Sequence, residues 1–129
     1  MKWVADKAAV DSLRDDPDVV LIDARVSERY RGEVEPIDPK PGHIPGAMNF
    51  PFQEVLDLET GRFLTPEKLR EAFGKIGATK TNQIICYCGS GITACTNIFA
   101  LYMAGFNARL YEGSWSEWSK DPELPVAKA

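Results

Sequence analysis

The sequence predicts an α/β fold, a three-layer α/β/α arrangement with a mainly parallel central sheet of about five strands and helices on both faces. Three observations predict it. Short apolar runs of strand type alternate with helical patterns along the whole chain. One run, Val19-Val20-Leu21-Ile22, is apolar at every position, the pattern of a parallel strand buried on both faces. Polar clusters follow three of the strands directly: Asp23-Ala24-Arg25, Cys88 and Glu112-Gly113-Ser114. In open parallel sheets ligands bind beyond the carboxyl ends of the strands, so these clusters are expected to converge.

Taken in order, residues 2–5 read as a short edge strand. Asp6 is placed to cap a helix running to about Arg14, with Val10 and Leu13 facing inward. Asp15-Asp16-Pro17-Asp18 ends it before the strand Val19 to Ile22. Ser27 to Arg31 reads as one short helix stopped by Gly32. Glu33 to Gly42 is a charged loop with prolines at 36, 39 and 41, long enough for a small domain to suggest a function. Gly42-His43-Ile44-Pro45-Gly46-Ala47 leads by turns into a strand over 47–50. Thr65-Pro66 is an N-cap followed by proline at the first helical position, and Leu69, Ala72, Phe73 and Ile76 form that helix's inner face. A last strand is expected over 108–111, before Gly113-Ser114-Trp115-Ser116-Glu117-Trp118 and a proline-spaced tail.

The stretch Ile84-Ile85-Cys86-Tyr87-Cys88-Gly89-Ser90-Gly91-Ile92-Thr93-Ala94 carries the chemistry. It opens as a strand and breaks at two glycines spaced one apart. Beyond them Ile92, Cys95, Phe99, Tyr102, Met103 and Phe106 recur at steps of three and four, predicting a helix with that stripe inward and a stop at Gly105. Cys88 therefore sits at a strand exit, on a glycine loop, at the mouth of a helix. Helix-start N–H groups lack partners and carry partial positive charge. Gly89 and Gly91 let successive N–H groups curl toward one point, a nest that favours an anion such as a thiolate or a persulfide. The plain alternative, a buried inert cysteine, fits this context less well.

The bulk composition sets limits. The chain has 129 residues, 44% hydrophobic and 26% charged, enough for one domain with a core. A net charge of -4 argues against a general nucleic-acid binder. No apolar run approaches the roughly 20 residues of a membrane span, and no signal peptide is legible. Three cysteines do not read as a disulfide framework, so a reducing, cytoplasmic setting is the expectation.

Four segments together, in order, resemble the rhodanese (sulfurtransferase) family: Leu21-Ile22-Asp23-Ala24-Arg25, Gly42 to Ala47, Cys88 to Ala94, and Tyr111 to Trp118. The resemblance is nearest to the catalytic carboxyl-terminal half of thiosulfate and 3-mercaptopyruvate sulfurtransferases. It implies one catalytic domain over residues 1–129 that needs no cofactor and no metal. It implies that Cys88 takes sulfane sulfur from a small-molecule donor, thiosulfate or 3-mercaptopyruvate, and passes it as a persulfide to cyanide or a thiol. A thioredoxin-like reductant is a candidate acceptor. It places Arg29 as the anchor for the donor's anionic group, with Gly89, Ser90, Gly91, Ile92 and Thr93 forming the loop around the sulfur. Asp23 and Arg25 are expected as an ion pair shaping the site, and His43 as a structural hydrogen-bond donor. Ser90 favours the mercaptopyruvate type. The second arginine of that type, near Ile37, has no counterpart here, where Lys40 is the nearest cation.

Rival readings make different demands. A cysteine-dependent phosphatase of the same fold needs an arginine in its loop, and positions 89 to 95 hold none. Zinc needs more ligands than Cys86 and Cys88 supply. A sulfur-carrier or regulatory module would hold a persulfide for a protein partner, or sense oxidants through Cys88 and Cys95.

Overall fold

A computed structural model describes residues 3–89 and 93–129. Ten elements and one 3-10 turn follow in order: β1 (Val4–Ala5), α1 (Lys7–Leu13), β2 (Val19–Asp23), α2 (Ser27–Arg31), β3 (Met48–Asn49), the 3-10 turn (Phe52–Val55), α3 (Pro66–Gly74), β4 (Gln83–Tyr87), α4 (Ala94–Met103), β5 (Arg109–Tyr111) and α5 (Ser114–Trp118). The strands form one sheet in the order β1-β5-β4-β2-β3, and each pairing is parallel. Among the described residues no helix is long and apolar enough to cross a membrane.

Alternation along the buried strands divides the core in two. Val20 and Ile22 of β2 and Ile84 and Cys86 of β4 face one layer, with Leu69 and Phe73 of α3 and Ala94, Ala100 and Leu101 of α4. Leu21 of β2 and Ile85 and Tyr87 of β4 face the other, with Val10 of α1 and Trp115 and Trp118 of α5. A strand covered on both sides must be apolar at every position, the reason for the unbroken run in β2.

The ends of the elements follow from side-chain chemistry. Asp6 accepts the Ala9 amide at 2.8 Å to start α1, and Thr65 accepts the Lys68 amide ahead of Pro66 to start α3. Gly32 closes α2 with φ of 83°, and Gly105 closes α4 with φ of 93° while the Phe106 amide returns to the Leu101 carbonyl.

One expectation needs correction. The inward face of α4 is Ala94, Asn97, Ala100 and Leu101, not the stripe through Cys95 and Phe99. Cys95 is exposed in the first turn and Phe99 is 57% exposed. The helix is apolar nearly all round, so hydrophobic spacing alone leaves its rotation open. Close packing decides it: small alanines let the helix approach the sheet, and the Asn97 amide reaches the Phe50 carbonyl at 2.9 Å.

Candidate active site

The sheet order builds the site. From β2 the chain crosses to β3 on one side, and from β4 it crosses to β5 on the other. Between two strands whose connections diverge, the carboxyl ends open into a crevice. Asp23 and Tyr87 are register partners at the ends of β2 and β4, and the Ala24 amide bonds the Tyr87 carbonyl at 2.8 Å. Just beyond them, Arg25, two residues after Asp23, and Cys88, one after Tyr87, line a cleft of about 300 Å³.

Cys88 lines this cleft and is 1% exposed. Its backbone is held from α5. The Cys88 amide donates to Ser114 Oγ at 3.1 Å, and Ser114 Oγ donates to the Tyr111 carbonyl at 2.9 Å. The Trp115 and Ser116 amides donate to the Cys88 and Gly89 carbonyls, both at 2.9 Å. Ser114 is fully buried with φ of 55°, a left-handed conformation uncommon for a side-chain-bearing residue. Its hydroxyl joins the backbone groups of two strand ends, the Cys88 amide and the Tyr111 carbonyl.

Of the residues singled out from the sequence, Arg25, Arg29, Cys88, Gly89 and Thr93 all line the cleft. Ser90, Gly91 and Ile92, and with them the expected amide nest, lie outside the described residues. Asp23 lies beneath the cleft as the partner of Arg25. Nη2 of Arg25 donates to Asp23 at 2.7 Å and to the Gly42 carbonyl at 2.6 Å, and Nε spans both Asp23 oxygens. The guanidinium carbon sits 4.9 Å from the Trp115 ring centre. Burial alone would favour loss of the Arg25 proton, but the hydrogen bond and charge of Asp23 outweigh it and hold the group more firmly protonated than usual. His43 is outside the cleft. Its ring stacks on Tyr30 with centroids 3.9 Å apart, and its Nδ1 lies 2.7 Å from the Tyr30 carbonyl, an acceptor, so Nδ1 carries the proton.

The proline-rich loop supplies residues that spacing did not single out. Glu35 bonds Arg29 at 2.9 Å and Arg25 at 3.4 Å, and Asp38 bonds Arg29 at 3.3 Å. Burial would raise the Glu35 pKa, but the amides of Asp38 and Ile37 and the Arg29 charge together bring it below the ordinary carboxylate value. Asp38 also accepts from Ser116 Oγ at 2.8 Å, so the loop is tied to α5 across the cleft. The signals available were the loop's length and its alternation of acids with prolines. Cys86, two residues before Cys88, is fully buried in the core, and burial pushes its thiol well above the usual range.

A family description, the rhodanese-like domain, matches residues 6–121. The chain belongs to the rhodanese-like family. It is 50% identical over 124 residues to a Pseudomonas aeruginosa protein named probable 3-mercaptopyruvate sulfurtransferase, a match covering 95% of this chain and 43% of the relative. It is 46% identical over 110 residues to a Mycobacterium tuberculosis protein provisionally named thiosulfate sulfurtransferase SseB, covering 85% and 38%. It is 40% identical over 111 residues to the 3-mercaptopyruvate sulfurtransferase of Escherichia coli, covering 82% and 38%. The chain thus spans less than half the length of these relatives. The wild-type structure of EanB superposes with a TM-score of 0.88 at 23% identity, over 98% of this chain and 32% of that one. A likeness at that identity supports the fold alone.

Proposed function

We propose that this rhodanese-like domain is a sulfurtransferase in which Cys88 carries the sulfur. The observation that carries the reading is the shared cleft: a cysteine at the switch point of a parallel sheet, with Arg29 on the same wall. The names of the relatives support the same chemistry and leave thiosulfate and 3-mercaptopyruvate both open as donors.

The reaction runs in two displacements. With thiosulfate, the Cys88 thiolate attacks the sulfane sulfur, the sulfur–sulfur bond of the donor breaks, and sulfite leaves with the electron pair. With 3-mercaptopyruvate, the same attack breaks the carbon–sulfur bond, and the departing pyruvate carbanion takes up the proton that the donor thiol gives up. Either route leaves Cys88 as a persulfide. Cyanide or a thiolate then attacks the outer sulfur, and the Cys88 thiolate departs. Arg29 anchors the donor's anionic group. Arg25, held by Asp23, shapes the wall rather than reacting. A thioredoxin-type protein thiol is a candidate acceptor.

Thiocyanate formation from cyanide and each donor tests the reading. Wild-type protein turns over at least one donor, and Cys88→Ala abolishes turnover while keeping the fold. Thiocyanate production that survives Cys88→Ala contradicts it. A carrier module would give a different result: it loads sulfur yet shows negligible turnover to cyanide.

A further inference from the structure

The cation assigned to the donor is already occupied from within the chain. Arg29 Nη2 bonds Glu35 Oε2 at 2.9 Å and Asp38 Oδ2 at 3.3 Å. Both carboxylates are themselves only 4% exposed. In this cluster three carboxylates, Asp23, Glu35 and Asp38, face two guanidiniums, Arg25 and Arg29. Among these five side chains the carboxylates outnumber the guanidiniums.

The two acids on Arg29 are held differently. Glu35 is fixed by the amides of Ile37 and Asp38, at 3.2 and 3.0 Å, and bridges both arginines. Asp38 lies at the cleft surface itself, with a long bond to Arg29 and a second, 2.8 Å bond from Ser116, which also lines the cleft. Meanwhile Arg29 Nε is buried without a hydrogen-bond partner among the described residues. Nε and Nη2 form one edge of the guanidinium, the edge a carboxylate or sulfonate takes with two parallel bonds. The internal acids use only half of that edge. An incoming anion that displaced Asp38 would take its place on Nη2.

Building on the sulfurtransferase reading, we propose that Asp38 is a specificity-determining residue: as a displaceable internal carboxylate on Arg29 Nη2, it competes with an anionic donor for that guanidinium. Asp38 therefore weakens binding of anionic donors and favours those with a neutral or positive end. Ser116 positions Asp38 in this role. The other bridging acid, Glu35, stays in place when a donor binds.

The test uses a matched pair of small thiols, 3-mercaptopropionate and cysteamine, which differ in the charge of one end. Each is titrated calorimetrically into Cys88→Ser, Cys88→Ser with Asp38→Asn, and Cys88→Ser with Ser116→Ala, after circular dichroism confirms that each variant is folded. Removing the Asp38 charge is expected to tighten 3-mercaptopropionate on the order of tenfold and to weaken cysteamine, a reversal that a merely structural role would not produce. Ser116→Ala, which leaves the charge but frees its anchor, is expected to tighten 3-mercaptopropionate by a smaller factor. The proposal is overturned if Asp38→Asn leaves the carboxylate's affinity unchanged or lowers it, or if no variant binds the carboxylate at all. These titrations need no sulfur transfer. A chain that binds as expected while wild-type Cys88 never accepts sulfur would keep the specificity assignment and sink the sulfurtransferase reading.

Discussion

Ser114 holds Cys88 by its backbone: the serine hydroxyl accepts from the Cys88 amide at 3.1 Å and donates to the Tyr111 carbonyl at 2.9 Å. One buried oxygen thereby fixes the end of β4 to the end of β5 and sets where the cysteine enters the cleft. Ser114→Ala keeps the backbone possible but removes the hydroxyl partner of the Cys88 N–H and the Tyr111 carbonyl. We expect a loss of about 1–3 kcal/mol in chemical denaturation, the cost of leaving such groups unpaired. A change below about 0.5 kcal/mol, the usual size for surface substitutions, would show that the hydroxyl is dispensable.

The Asp23–Arg25 pair is buried almost completely, at 0% and 2% side-chain exposure. Its removal as a pair and its rupture have different costs, because one charge left alone in the interior is the expensive state. Asp23→Ala alone is expected to destabilise by about 3–5 kcal/mol. Arg25→Lys is also expected to be harmful, since a single ammonium nitrogen cannot reproduce the planar fork in which Nε and Nη2 together hold Asp23 while Nη2 reaches the Gly42 carbonyl. Wild-type stability in Arg25→Lys would contradict the pair's structural role.

Glu35 gives the fold a pH dependence whose sign is fixed. Its folded-state pKa lies below the ordinary value, so its contribution is present above that value and is lost as pH falls through the lowered one. Glu35→Gln is therefore less stable than wild type near neutrality. The gap between the two should narrow as pH falls below about 4.3, the ordinary glutamate value. Urea titrations across that range measure it, and a constant gap down to about pH 3 would contradict the assignment.

Gly42 is constrained by geometry rather than by chemistry. Its φ is 121°, and a Cβ there would run into the Ala127 carbonyl oxygen of the carboxyl-terminal tail, which pairs with His43. Gly42→Ala is expected to cost more than about 1 kcal/mol, beyond the ordinary range for compatible glycine substitutions. A neutral effect would mean that the tail does not dock in solution.

Much of this was legible in the sequence for identifiable reasons. The unbroken run Val19 to Ile22 signalled a doubly covered strand, and Asp6, Thr65-Pro66, Gly32 and Gly105 marked helix ends, because these features act through local sterics and hydrogen bonds. The rotation of α4 was not legible: with apolar residues on every side, only contact with Phe50 and the sheet distinguishes Asn97 inward from Phe99 outward. At the cleft, Cys88 was singled out by its strand–glycine–helix context and Arg29 by the family resemblance, and both line it. Asp38 and Glu35 were not singled out, since a loop's acids show their partners only once the chain returns over the cleft from about ten residues away.

The proposed role of Arg29, holding the donor's anionic group, predicts a loss felt in binding before chemistry. With either small donor, Arg29→Ala is expected to raise KM about tenfold or more, the scale of one charge-assisted interaction, and to lower kcat less. An unaltered KM would remove Arg29 from donor binding.

The most direct measurement is the intact mass of the protein after brief exposure to thiosulfate or 3-mercaptopyruvate, followed by cyanide. The account predicts a gain of about 32 Da, one sulfur atom, located on Cys88 by peptide mapping and discharged when cyanide is added. No gain with either donor, or a gain carried on Cys86 or Cys95 while Cys88 stays unmodified, would contradict it.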